Sequence, residues 1–196
     1  MQHKEMEVMT LQIAFLGSPL LLAALANGLC MRFDCLKWLK RPIDLGRSFR
    51  GKRIFGDNKT GRGLFIVIVF CILGAWIQSL IQRTGQLPPW LPLCDYKSLW
   101  LPEGLALGLG ATLGELPNSF LKRQFAILPG MRKRGILGGM FFVLDQVDLA
   151  IGVWIFLYFL LEPSMRLILL SLALTIPIHL LVSVIGYALG MRKTLT

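Results

Sequence analysis

The chain has 196 residues, 55% of them apolar and only 16% charged, with a mean hydropathy of +0.63. Its apolar residues come in long runs, which excludes an ordinary soluble domain and indicates an all-α, polytopic integral membrane protein. A net charge of +10 would point to nucleic acid in a soluble protein, but basic loops flanking membrane spans account for it and no nucleic-acid partner is expected.

Windows of about 20 residues, the length that crosses ~30 Å of hydrocarbon as a helix, fall in chain order at Met9 to Leu29, Gly63 to Leu80, Trp100 to Glu115, Met140 to Leu161 and Leu167 to Gly190. The first ends near Ala24-Leu25-Ala26, which resembles a small-residue cleavage site. The segment before it carries Glu5 and Glu7 against Lys4 and lacks the basic start of a leader peptide, so it is taken as a span. The third contains Glu103 and Glu115 and is rich in small residues, as a span packed inside a bundle is.

The stretch 30–62 holds ten cations, from Arg32 to Arg62, the stretch 116–139 holds Lys122, Arg123, Arg132, Lys133 and Arg134, and the tail holds Arg192 and Lys193. Only Lys4, Arg83, Lys97 and Arg166 remain for the other side. The positive-inside rule then places the N-terminus outside and the C-terminus in the cytoplasm, and an odd number of spans agrees with termini on opposite sides. No repeat or linker divides the chain. It is read as one domain, 1–196, in the cell membrane, with cytoplasmic loops at about 30–62 and 116–139. Within the first loop, Phe33, Leu36, Trp38 and Leu39 alternate with Arg32, Lys37 and Lys40. Such a stretch either lies as a short helix in the membrane interface or serves as a basic flank. Cys30, Cys35, Cys71 and Cys94 show no metal-ligand spacing and imply no disulfide framework.

Asp145 and Asp148 interrupt the fourth span three positions apart, so on a helix both carboxylates share a face, with Cβ atoms roughly 5–6 Å apart. Asp145 would lie about 8 Å below the start of that span. An ionised carboxylate at such a depth costs on the order of 3 kcal/mol if unpaired. Either ion pairs to neighbouring helices or a divalent metal must offset this, and Mg²⁺ suits a pair of carboxylates whose other ligands are water and substrate phosphates. Glu115, at the cytoplasmic end of the third span, is a third candidate ligand. In the first loop, Phe55-Gly56-Asp57-Asn58-Lys59-Thr60-Gly61-Arg62-Gly63 runs into the second span. Its glycines allow close backbone approach to a phosphate, and Lys59, Thr60 and Arg62 supply donors. The same residues also suit an ordinary turn before a helix. Cations for phosphates and acids for Mg²⁺, gathered at one membrane face, are what phosphoryl or nucleotidyl transfer requires.

Taken together, Arg41-Pro42-Ile43-Asp44-Leu45-Gly46 and Arg53 to Gly63 resemble the first cytoplasmic loop of CDP-archaeol synthases. Gly114-Glu115, Ser119, Lys122-Arg123 and Asp145-Gln146-Val147-Asp148 resemble the signature shared with phosphatidate cytidylyltransferases. The resemblance runs from about residue 20 to the end. It implies a Mg²⁺-dependent cytidylyltransferase of phospholipid biosynthesis that condenses a lipid phosphate with CTP, releasing pyrophosphate and leaving a CDP-activated lipid. For the archaeal enzymes that lipid is an unsaturated diether glycerol phosphate. The resemblance implies Asp145, Asp148 and Lys122 as catalytic, Asp145, Asp148 and Glu115 as metal ligands, and Asp57, Lys59, Thr60, Arg62, Ser119 and Arg123 as substrate-binding. The chain departs from the family pattern at Glu115, where Asp is usual, at Gly61, where an aromatic residue is common, and at Ser183, where Asn is expected. The terminal Pro-Trp is missing. His179, a lone histidine on an apolar span, is read as hydrogen-bonded within the bundle. The alternatives are a catalytically diverged lipid-binding or scaffold protein and an ion transporter. The first predicts lipid binding without CTP consumption and the second predicts flux without nucleotide. A homodimer is compatible with the sequence.

Overall fold

The structure, a computed structural model, describes residues 2–128, 131, 135–188 and 190. Five long helices carry the expected spans: α1 (Gln2–Arg32), α2 (Gly61–Arg83), α3 (Tyr96–Gln124), α4 (Ile136–Leu161) and α5 (Met165–Ala188). A two-residue hairpin, β1 (Ser48–Phe49) and β2 (Lys52–Arg53), sits between α1 and α2. Four helices are long and apolar enough to cross a membrane: α1, α2, α4 and α5. The protein is a multi-pass membrane protein. Of the loop cations counted above, Arg132, Lys133, Arg134, Arg192 and Lys193 lie outside the described residues.

α3 is the least apolar because it packs between α2 and α4 through glycines. A Cβ on Gly104 or Gly108 would come within 2.6 or 2.7 Å of the Ile72 and Ile68 Cα atoms of α2. Gly110, Gly114 and Gly152 bring α3 and α4 equally close, since a Cβ on Gly152 would stand 2.2 Å from the Gly110 carbonyl oxygen. Helix contact inside a bilayer depends on close packing of this kind, because lipid tails are as apolar as leucine. Leu107, Ala111, Val153 and Leu157 fill the seam, all buried. Ile155, Phe159, Leu169 and Leu181 face outward, as lipid-contacting side chains do.

The helix termini follow from local chemistry. Thr60 caps α2, its hydroxyl accepting from the Gly63 amide at 3.3 Å, and Asp95 caps α3, accepting from the Lys97 amide at 3.2 Å. α1 has 31 residues, about 46 Å at 1.5 Å per residue. That exceeds the hydrocarbon thickness and lets its polar first turns project beyond it. The stretch 30–40 is not the interfacial helix considered above. α1 runs to Arg32 and only Lys37–Leu39 forms a 3₁₀ turn, leaving Phe33 and Trp38 about 70% exposed. Asp34, in the left-handed region at φ 47°, follows the end of α1, and Leu36, at φ 51°, precedes the 3₁₀ turn, so the helical run does not continue.

Candidate functional site

The loop between α1 and α2 is organised by one buried carboxylate. Asp44 accepts from the amides of Gly46, Phe55 and Gly56, each at 3.0 Å, and from Nη2 of Arg53 at 2.7 Å. Burial alone would raise its pKa, but the Arg53 guanidinium and the three amides outweigh that and hold the carboxyl well below the usual range. The chain reverses at Arg50-Gly51, both at positive φ, a two-residue turn suited to strand twist. The loop closes where the Ile43 amide donates to the Lys59 carbonyl at 2.9 Å and the Gly61 amide to the Arg41 carbonyl at 3.0 Å. It docks on the C-terminal end of α3. Nε of Arg123 donates to the Phe55 carbonyl at 3.0 Å, Lys52 donates to the Gln124 carbonyl, and the Phe49 and Phe120 rings lie 5.8 Å apart.

Docking delivers Lys59 to Glu115 on α3, with which it forms an ion pair. Beyond it lie Asp145 and Asp148 on α4. Nδ2 of Asn118 donates to Oδ1 of Asp145 and to Oδ2 of Asp148, both at 2.7 Å, so the two carboxylates meet across one amide nitrogen. Lys122, one turn further along α3, binds Asp145, and Asp148 lies within electrostatic reach of both Glu115 and Asp145. The close α3–α4 crossing sets this registry: a Cβ on Gly114 would meet the Asp148 carbonyl oxygen at 2.7 Å.

The expected residues thus divide into two groups. Asp145, Asp148, Lys122, Glu115 and Lys59 converge at the loop end of the bundle, with half-buried Ser119 beside Asn118 on α3. Thr60, Asp57, Arg62 and Arg123 are engaged in holding the framework. Thr60 caps α2, and exposed Asp57 pairs with Arg53 at 2.9 Å. Arg62, only 6% exposed, donates to Asp34 at 2.9 Å and to the Cys35 carbonyl at 3.1 Å, which ties the end of α1 to the start of α2. Hydrogen bonds from Lys40 and Arg62 lower the Asp34 pKa.

Among the described residues, no three His, Cys, Asp or Glu side chains gather closely enough to hold a metal ion, and Glu115 is held on Lys59. The oxygen donors at the centre are the carboxylates of Asp145 and Asp148, hard ligands of the kind Mg²⁺ takes, and Asn118 turns its amide nitrogen to them. Asn118 carries no conspicuous signal in the sequence. It stands next to Ser119 as one more polar residue near a helix end, and its partners lie 27 and 30 positions away.

The sequence profile of the CarS-like CDP-archaeol synthase family matches residues 13–195. The chain is 33% identical over 166 residues to the CDP-archaeol synthase of Methanosarcina barkeri, covering 78% of this chain and 89% of that one. It is 34% identical over 161 residues to that of Methanospirillum hungatei, covering 78% and 87%. With that of Pyrobaculum aerophilum it shares 28% over 169 residues, covering 86% and 89%. Its fold matches a solved structure of an intramembrane enzyme for archaeal membrane lipid biosynthesis, with a TM-score of 0.63 at 22% identity, over 87% of this chain and 92% of that one.

Proposed function

The chain belongs to the CDP-archaeol synthase family, and on that premise we propose that it condenses CTP with the phosphate of a membrane-resident glycerol lipid, at the cytoplasmic face of the cell membrane and with Mg²⁺. It is a membrane cytidylyltransferase, and the product is a CDP-activated lipid. A lipid phosphate oxygen bonds to the α-phosphorus of CTP, the α–β anhydride breaks, and pyrophosphate leaves. A phosphate monoester is already an anion at neutral pH, so no general base is needed. The obstacle is bringing two polyanions together.

The observation that carries this reading is the convergence of two lysines with three carboxylates at one end of the bundle. Asp145 and Asp148 would hold Mg²⁺, which when bound neutralises phosphate charge and orients the triphosphate. The residues of the chain do the rest. Lys59 and Lys122 now rest on Glu115 and Asp145, and a triphosphate offers both a stronger counter-charge. Both lysines would then move from the acids to the phosphates. Arg62, Arg123 and Asp44 keep the loop in place while Lys59 moves.

Purified protein supplied with labelled CTP, Mg²⁺ and a panel of ether- and ester-linked glycerol phosphates should yield a labelled CDP-lipid, with the linkage preference read from the panel. Lipid binding with no CTP consumed would overturn the assignment.

A further inference from the structure

Asn118 is 6% exposed, and its Nδ2 makes two good hydrogen bonds while its Oδ1 is buried with no hydrogen-bond partner. A buried acceptor left unmet costs about 1–3 kcal/mol. The two ends of a carboxamide have nearly the same shape, so a half-turn about its terminal torsion exchanges donor for acceptor and disturbs little else. The direction in which the amide points is therefore decided by what it faces. Facing two bare carboxylates, it must present the nitrogen. Facing the same carboxylates with a divalent cation between them, it must present the oxygen, since an N–H would point its positive end at the metal.

We propose that Asn118 is a ligand of the divalent cation, its Oδ1 completing with Asp145 and Asp148 a three-oxygen set drawn from α3 and α4. The inference rests on the metal reading of the site given above. The amide acts as a swivel, with Nδ2 bridging the two acids until the cation arrives and Oδ1 binding it afterwards. A neutral third ligand leaves the set with two formal negative charges. That matches one divalent ion and leaves the triphosphate to be met by lysine.

The test uses Mn²⁺ as a probe in place of Mg²⁺, with the purified full-length chain in lipid nanodiscs and no nucleotide. Asparagine is labelled with ¹³C at the carboxamide, Asn27 and Asn58 being the other asparagines, and bound Mn²⁺ is examined by electron–nuclear double resonance. The expected result is a ¹³C coupling from a directly bound carboxamide that disappears in Asn118→Leu. That variant should also bind Mn²⁺ about ten- to a hundredfold more weakly, as should Asp145→Asn. If the wild type shows no such coupling, or if the coupling persists in Asn118→Leu, the assignment of Asn118 is overturned. It is also overturned if Asn118→Leu binds Mn²⁺ like wild type while Asp145→Asn does not, an outcome that leaves the aspartate metal site standing. If neither Asp145→Asn nor Asp148→Asn alters Mn²⁺ binding, the metal reading itself falls, and this inference with it.

Discussion

At the scale of single residues, the site separates side chains that meet charge from side chains that hold others in place, and substitutions should reveal the difference. Asp148→Asn keeps the shape and the Asn118 contact but halves the acid pair. It should remove most CTP-dependent turnover, by about a hundredfold or more, while the protein retains its melting temperature in detergent. Asp44→Ala should do the reverse of a clean active-site change. Without the carboxylate, three amides and Arg53 lose their acceptor, and the loop should loosen by about 3 kcal/mol, seen as faster proteolysis between residues 41 and 60. Because the Asp44 pKa is depressed on folding, its contribution is complete above the ordinary carboxylate range and declines as pH falls through the lowered value. Proteolysis of the wild-type loop should therefore stay slow from neutrality down through pH 4, and the difference between wild type and Asp44→Ala should narrow only in stronger acid. Asp145 and Asp148 were legible in the sequence because acid within an apolar run is costly and conspicuous. Asp44 and Asn118 were not, since Asp in a turn and Asn near a helix end are common for local reasons and their real partners are distant in the chain.

Among the elements, α3 shows how a weak span can be the central one. Its run of glycines was readable as a packing surface, but which helices it meets was not, because the two glycine faces differ only in their angular position around the axis. The structure assigns Gly104 and Gly108 to α2, and Gly110 and Gly114 to α4. The apolar run of this span ends at Glu115, where charge begins, whereas the helix continues to Gln124 and carries Asn118 and Lys122 to the acids of α4. Gly152→Ala places a methyl group where the α3 backbone now lies and should force the helices apart. The cost is about 2 kcal/mol of stability, and turnover should fall although no site residue has changed. A melting temperature and activity equal to wild type would show that the crossing tolerates a wider separation.

For the whole molecule, hydropathy and charge placement were enough to anticipate five helices joined by a basic loop. The folding of that loop into a docked unit was beyond them, because many of its contacts run to backbone amides and carbonyls that no residue code announces. The N-outside, C-inside orientation expected from the cation distribution can be read at Cys35, which is exposed in the loop, with Cys94 near the opposite end of the bundle. In a variant retaining only Cys35, a membrane-impermeant maleimide should label inverted vesicles and leave intact cells unlabelled. The opposite pattern would reverse the orientation and place the site on the outer face.

The pairing of Lys59 with Glu115 and of Lys122 with Asp145 also bears on how the enzyme is made. A chain leaving the insertion machinery carries its own counter-ions for Glu115 and Asp145, so these acids can settle at the bilayer edge before meeting nucleotide or metal. Assembly and loading become separate events, and a cell starved of CTP would still accumulate folded enzyme in reserve.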